Sequence, residues 1–181
     1  RPEQSARFAV RLRIPTWTGD RFVPGELYRY AAGVQAPPVE LHVNGERVDD
    51  FQIANGFAVL KREWKEGDRI ELNLPLPVRA SQCRDEVEAN RGRPAVTRGP
   101  LVYCAESVDN QQHVFNYFLT ADSFAGRIDE RMISIAGHDV LAVTVDAQRT
   151  DAAGALQSAP LTLIPYFAWD NRGVSSMEVW I

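Results

Sequence analysis

The sequence predicts an all-β protein, an antiparallel β-sandwich of the jelly-roll type, on the strength of two observations. Short apolar stretches alternate with polar residues at a period of two, as expected for half-buried strands. Turn-forming residues, including Asn44-Gly45 and Asn55-Gly56, separate these stretches at the spacing of hairpins. No fixed repeat period indicates a propeller or a solenoid.

The first half of the chain contains four such stretches. The strand that begins near Phe8 places every second residue on one face and ends at Pro15. A strand around Leu41 leads into Asn44-Gly45, and FAVLKREW follows Asn55-Gly56, so two hairpins are predicted. In IELNLPLP the apolar residues alternate again, and its two prolines indicate a sheet edge or a strand end.

The second half begins with the stretch RASQCRDEVEANRGR, where the composition changes from alternating apolar residues to polar and charged ones. We therefore predict two small sandwiches packed together, residues 1–82 and 83–181, with the boundary between residues 78 and 93. A single larger sandwich is the alternative. The later strands are PAVTRGPLVYCAE, RMISIAG, HDVLAVTVDA and APLTLIPYFAW. Short helices fit only in SVDNQQHVFNYF and DSFAGRIDERM, the second capped by Asp122 or Ser123.

Composition argues against several classes of partner. The formal net charge of -4 gives no broad positive field, so we expect no nucleic-acid partner. No apolar run approaches the roughly 20 residues of a membrane helix, so we expect no membrane partner. The chain begins without Met, and we expect it to be part of a longer protein whose cellular location its sequence leaves open.

The two cysteines are weak catalytic candidates. Cys104 and Glu106 share one face of a predicted strand, where a thiolate beside an acid could act as a nucleophile. Burial as a small apolar residue is the preferred interpretation of Cys104, because PLVYCAE is an apolar strand. Cys83 lies next to Arg84, which could lower its pKa, but no histidine is nearby in sequence.

Metal ligands and a catalytic acid pair are equally unsupported. The three histidines have none of the usual ligand spacings, and the acids of CRDEVE fit a solvated loop better than a cleft with separated pKa values. We therefore predict no catalytic, cofactor-binding or metal-binding residue in this chain.

The closing segment, LTLIPYFAWDNRGVSSMEVWI, holds the best functional candidates. Tyr166, Trp169, Asn171 and Arg172 could form a protein interface or contact a glycan. If the segment has only a structural role, Phe167 and Trp180 fill the core. Strand alternation places Phe167 and Trp169 on the same face of the strand. We predict that Trp169 or Tyr166 packs into the sandwich and that Arg172 binds loop carbonyls or an acid.

Five segments in this order resemble the C-terminal part of glycoside hydrolase family 127, the β-L-arabinofuranosidase type. They are FAVRLRIPTW, VELHVNGE, GFAVLKREWKEGDRIELNLPLPVR, RPAVTRGPLVYCAESVDN and IPYFAWDNRGVSSMEVWI. The residues that carry the resemblance are Trp17, Asn44, Gly45, Trp64, Gly67, Asp68, Arg98, Gly99, Pro100, Tyr103, Pro165, Tyr166, Trp169, Asn171, Arg172 and Gly173. Physically, Arg98 and Arg172 could tie carbonyls or a carboxylate across a domain junction.

The resemblance implies a bacterial-type enzyme with an upstream catalytic (α/α)6 barrel. Sandwich domains like these pack on that barrel and, in some members, join subunits into a homodimer. The family's active site resembles a zinc-held cluster that includes adjacent cysteines. This chain has no Cys-Cys pair, so no zinc or catalytic role transfers to Cys83 or Cys104, and any zinc would belong to the barrel.

Two functions follow as hypotheses. The first is a non-catalytic accessory region that supports the barrel and contributes to dimerisation. The alternative is a carbohydrate-binding module for arabinose-containing glycans. Exposure of the aromatic residues distinguishes the two.

Overall fold

The computed structural model describes residues 2–21, 23, 25–31, 34–110, 113–126 and 128–181. Every strand pairing given by these residues is antiparallel, which confirms the predicted all-β antiparallel fold. The strands are β1 (Ala6–Arg13), β2 (Tyr28–Tyr30), β3 (Glu40–Val43), β4 (Glu46–Arg47), β5 (Gln52–Ala54), β6 (Phe57–Trp64), β7 (Ile70–Asn73), β8 (Val78–Cys83), β9 (Ala95–Arg98), β10 (Leu101–Glu106), β11 (Tyr117–Phe118), β12 (Asp129–Ile135), β13 (His138–Thr150), β14 (Leu156–Pro165) and β15 (Met177–Glu178).

An amino-terminal unit comprises Arg1–Phe22 and Ala36–Leu76. It contains two three-stranded sheets, with strand orders β1-β6-β5 and β4-β3-β7. Leu41 and Val43 of one sheet and Leu60 and Trp64 of the other are buried in a common core. The two sheets therefore form a small sandwich, with the alternate apolar residues of each strand facing inward.

Both predicted hairpin turns of this unit are confirmed. Asn44 and Gly45 have φ of 55° and 83°, and Asn55 and Gly56 have φ of 52° and 77°. These positive values are the ones that tight hairpins require. The side chain of Asn44 also donates to Asp68 Oδ1 at 2.9 Å, which ties the first turn to the KEGD turn.

The carboxyl-terminal unit comprises Val23–Gln35 and Pro77–Ile181. Its sheet has the order β11-β13-β14-β10-β9-β8-β2, with β12 paired to β13 and β15 paired to β10. The strand β10 is buried on both faces from Tyr103 to Glu106. Tyr103 and Ala105 face the larger apolar cluster, whereas Cys104 faces a second cluster with Ile164 and Ala168.

The two units divide between Leu76 and Pro77, whereas the sequence placed the boundary between residues 82 and 83. The stretch that suggested a linker begins within β8, which pairs with β9 through Val78↔Arg98. The segment Val23–Gln35 also belongs to the carboxyl-terminal unit, because β2 pairs with β8.

The predicted short helices appear as 3-10 turns, Val114–Asn116 and Ala121–Phe124. Thr120 caps the second turn in a reciprocal capping box with Ser123, so the expected cap at Asp122 or Ser123 is wrong by two or three residues. Gln111 and Gln112 of the first predicted segment and Arg127 of the second lie outside the described residues. No helix in the described part of the chain is long and apolar enough to cross a membrane.

Candidate functional site

The closing aromatic residues lie on a tight turn, residues 166–173, which we call the aromatic turn. Strand β14 ends at Pro165, and Tyr166–Ala168 form a 3-10 turn. Because side chains three residues apart lie above one another in this geometry, Tyr166 and Trp169 stack, with ring centroids 6.2 Å apart and planes 27° apart. The predicted alternation, which placed Phe167 with Trp169, is therefore wrong.

The aromatic turn has a buried side and an exposed side. Ala168 is buried, and Trp169 is half-buried against the cluster that contains Cys104. This confirms that Trp169 packs into the domain. Tyr166 is 45% exposed and Phe167 is 66% exposed, so the expectation that Phe167 fills the core is wrong. Trp180 is half-buried, with its ring 5.7 Å from that of Tyr28.

A partly buried ion triad anchors the turn to β10. The guanidinium of Arg172 donates to Glu106 Oε2 at 2.6 Å and to both oxygens of Asp109, at 2.7 and 2.5 Å. The Glu106 side chain is only 1% exposed. The hydrogen bonds to Asp109 first, and those to Glu106 second, raise the pKa of Arg172 above its ordinary value. Arg172 is therefore a fixed cation between two acids.

The sequence predicts carbonyls or a carboxylate as partners of the two framework arginines, and in the structure both arginines pair with carboxylates. Arg172 binds Glu106 and Asp109, and Arg98 Nε lies 3.3 Å from Glu130 Oε2. All of these acids belong to the carboxyl-terminal unit, so these ion pairs lie within one unit, and a contact of either arginine across a domain junction stays a prediction.

Backbone and amide contacts hold the turn in one conformation. The backbone N–H of Asp170, whose φ is 60°, donates to Glu106 Oε1 at 3.1 Å. The side-chain amide of Asn171 donates to the carbonyls of Ala168 and Trp169, at 3.2 and 2.9 Å. Glu106 thus accepts from both the backbone and Arg172, and the aromatic side chains extend from a constrained scaffold.

A serine cluster, Ser107, Ser175 and Ser176, fixes the chain just after the turn. The hydroxyls of Ser107 and Ser175 lie 2.9 Å apart, and the backbone N–H of Ser176 donates to Ser107 Oγ at 3.0 Å. The backbone N–H of Ser107 donates to the carbonyl of Ser176 at 2.9 Å. Sequence reasoning missed this cluster, because its members lie almost 70 positions apart and serine pairs carry no distinctive spacing.

Neither cysteine has the surroundings of a nucleophile. Cys104 is fully buried, and burial first, with Glu106 second, raises the pKa of its thiol to about 12. Packing, the preferred interpretation, is therefore confirmed for Cys104. Cys83 is half-buried, with its Sγ 3.9 Å from the carbonyl oxygen of Val87.

The acids of the CRDEVE stretch and the histidines, which were weighed as catalytic or metal-binding candidates, do not form a common site among the described residues. Glu86 pairs with Arg84, whose hydrogen bond lowers the pKa of the carboxyl, and Glu88 lies 3.8 Å from Arg91. His113 and His138 are exposed. Within the described ranges, no group of three His, Cys, Asp or Glu side chains could hold a metal ion.

Two family models match the chain. The Beta-L-arabinofuranosidase GH127 middle domain matches residues 1–76, and the glycoside hydrolase family 127 C-terminal domain matches residues 78–181. Among curated proteins, the non-reducing end beta-L-arabinofuranosidase of Bifidobacterium longum subsp. longum is 30% identical over 191 residues, covering 98% of this chain and 26% of the relative.

Solved structures agree with this match. One of a GH127 β-arabinofuranosidase has 36% identity and a TM-score of 0.85, covering 98% of this chain and 28% of the other. The GH127 β-L-arabinofuranosidase from Geobacillus stearothermophilus T6 has 31% identity and a TM-score of 0.80, covering 99% and 27%. The chain thus spans about a quarter of the length of these relatives. It belongs to glycoside hydrolase family 127, whose middle and C-terminal domains it contains.

Proposed function

We propose that this chain is a non-catalytic accessory region of a family 127 glycoside hydrolase, and that its parent is an arabinofuranosidase-like enzyme. One observation carries the proposal: the domain models that match residues 1–76 and 78–181 are those of the middle and C-terminal domains. We place the catalytic barrel in the remaining length, since the chain covers 26% to 28% of its relatives.

The chemistry of the described residues supports a non-catalytic role. A thiol nucleophile needs a lowered pKa, and that of Cys104 is raised to about 12. A glycosidase acid pair needs two carboxyl groups on either side of a substrate cleft. Glu106 and Asp109 are adjacent acids, but both bind Arg172, and the Glu106 side chain is buried. These acids stabilise the aromatic turn in this proposal.

The exposed side of the aromatic turn is the docking surface that we propose for the catalytic barrel. Tyr166 and Phe167 present apolar area to solvent, while Arg172 and Asn171 hold the backbone beneath them. A surface that is already ordered loses little conformational entropy on binding, and aromatic side chains contribute strongly to interfaces.

The test compares Phe167→Ala in the parent polypeptide and in the 181-residue chain. We expect a lower thermal midpoint in the parent and little change in the isolated chain, because only the parent supplies the docking partner. Phe115→Ala is the matched control, since Phe115 is similarly exposed in the same unit. An equal shift for both variants in the parent would contradict docking at the aromatic turn.

A catalytic assay tests the other half of the proposal. The isolated chain should release no product from an aryl β-L-arabinofuranoside, whereas turnover that follows the chain through purification would refute the non-catalytic role.

Sedimentation of the chain would reveal a homodimer, the second partner that we consider for these sandwiches.

A carbohydrate-binding module remains the second candidate, because Tyr166 is partly exposed and stacks on Trp169. Such a ring can stack on a sugar. Titration with arabinan distinguishes the two functions. Loss of arabinan binding in Tyr166→Ala, with unchanged thermal stability, would favour the module over the docking surface.

A further inference from the structure

Arg149 has a buried nitrogen that lacks a hydrogen-bond partner. It lies on β13 opposite Tyr117 of β11, and its guanidinium carbon is 6.0 Å from the centre of the Tyr117 ring. Its Nε is inaccessible to solvent and has no hydrogen-bond partner among the residues that the structure describes. A buried donor without an acceptor is costly, so the polar groups around Arg149 are incompletely satisfied.

A groove of about 240 Å³ lies beside this guanidinium, and we call it the Arg149 groove. Its polar lining comes from Asp109, Asn110, Tyr117, Arg149, Ser158 and Thr162. Pockets for drug-sized ligands are typically about 300 Å³ or more, so this groove suits a smaller molecule.

The groove forms where β10 separates from β14. Their pairing runs from Tyr103↔Pro165 to Ala105↔Leu163. At the next position the side chain of Asn110 takes the place of a strand, donating to the carbonyl of Thr162 at 3.0 Å and accepting from its N–H at 2.9 Å. Strand alternation points the backbone carbonyls of Pro160 and Ser158 to the same side as that of Thr162.

The charges that line the groove favour a neutral ligand. Arg149 is a cation, and Asp109 is an acid whose oxygens keep free lone pairs while they bind Arg172. With Glu106 and Arg172, the four groups sum to zero charge. A carboxylate ligand would face Asp109, whereas a hydroxyl can accept from Arg149 and donate to Asp109 at once.

We propose that the Arg149 groove binds a small neutral polyol, of the size of one sugar unit. Adjacent hydroxyls accept from the guanidinium of Arg149 and donate to Asp109, and Ser158 adds a hydroxyl partner at the open side. This site is separate from the exposed side of the aromatic turn, and it does not depend on the proposed docking of the barrel there.

Titration of the 181-residue chain with methyl arabinofuranoside and methyl glucopyranoside, followed by NMR, tests the site. At least one glycoside should shift the Arg149 side-chain Nε–H resonance in a saturable way. Arg149→Met should weaken binding about tenfold or more, since a hydrogen bond to a charged donor is lost. Ser158→Ala should weaken it about threefold, as expected for a neutral hydrogen bond.

Matched controls come from β12, where Arg131→Met and Ser134→Ala change exposed side chains outside the groove. Both should bind the glycoside like the unmodified chain. Ser158 is exposed, so its variant remains informative if Arg149→Met unfolds when it loses its packing on Tyr117.

Four results would overturn the proposal. They are the absence of saturable shifts with both glycosides, tighter binding of the methyl glycoside of galacturonic acid, with its free carboxylate, than of the neutral sugars, unchanged affinity in a folded Arg149→Met or in Ser158→Ala, and shifts confined to Tyr166 and Trp169. The second would make Arg149 an anion site, and the last would move sugar binding to the aromatic turn.

Discussion

The aromatic turn of the carboxyl-terminal unit and the hairpins of the amino-terminal unit are stabilised by different means. In the amino-terminal unit, Asn-Gly pairs form the hairpins, and the ion pairs, such as Arg69 with Glu71, lie at the surface. In the carboxyl-terminal unit, the aromatic turn depends on Arg172, which binds two acids that precede it by more than 60 residues. The backbone conformation of an Asn-Gly turn is favoured by its own two residues, whereas the aromatic turn depends on contacts with acids on a distant strand and the loop after it.

The largest expected effect is that of Arg172→Met. It leaves the buried carboxyl of Glu106 without its cation, and we expect the free energy of unfolding to fall by about 3 kcal/mol. Arg69→Met, which removes a surface pair, should cost less than about 1 kcal/mol. Urea denaturation of both variants measures the difference, and equal losses would remove the contrast between the two units.

Trp169→Ala should have the next largest effect. Its ring is half-buried against the Cys104 cluster, so we expect a loss of about 2 kcal/mol, below the value for a fully buried tryptophan. Phe167→Ala is the control within the same turn, and it should change stability by about 0.5 kcal/mol or less because the ring is exposed. Thermal unfolding that shows the reverse order would mean that Phe167, not Trp169, anchors the turn.

Cys104 makes the stability of the carboxyl-terminal unit depend on high pH. Its folded-state pKa of about 12 lies above the unfolded value near 9, so its contribution is complete below about pH 9 and is lost as the pH rises toward 12. In Cys104→Ala, the decline of unfolding free energy between these values should be shallower by up to about 1.4 kcal/mol per pH unit. Parallel slopes for Cys104→Ala and the unmodified chain would show that the thiol is not protected by burial.

The smallest expected effect tests a local turn. Gly45→Ala places a side chain at a φ of 83° with no steric contact, so the backbone conformation alone should cost about 1 kcal/mol. Gly19→Ala, at a φ of -106°, should be close to neutral. Chemical denaturation of both variants checks this, and an equal cost would mean that the positive φ of Gly45 is not the cause.

Much of the fold could be predicted because it is encoded locally. The alternation that begins at Phe8 predicted β1, and Asn44-Gly45 predicted a hairpin whose φ values the structure confirms. The family also followed from the order of five short segments, which needs no knowledge of contacts.

The candidate site was harder to predict from the sequence, because its geometry arises from contacts between residues that are distant in the chain. The position of Phe167 was mispredicted because a strand would place Phe167 on the same face as Trp169, whereas a 3-10 turn places Tyr166 there. The sequence does not mark the residue at which the strand ends and the 3-10 turn begins. Pairing of Arg172 with an acid was predictable from residue type, but the identity of that acid was not. Arg149 carried no signal at all, since a missing partner is visible only in three dimensions.

Strand β2 gives the chain an interleaved order, because residues 23–35 interrupt one unit and belong to the other. The polypeptide therefore passes between the units three times, and a cut after Leu76 does not separate them cleanly. It leaves β2 on the amino-terminal fragment and exposes β8, its partner through Tyr28↔Cys83, as an open edge. The carboxyl-terminal fragment, which begins at Pro77 and lacks β2, should therefore self-associate through the open edge of β8. A peptide of residues 23–35 added in trans should suppress this association by supplying the missing strand.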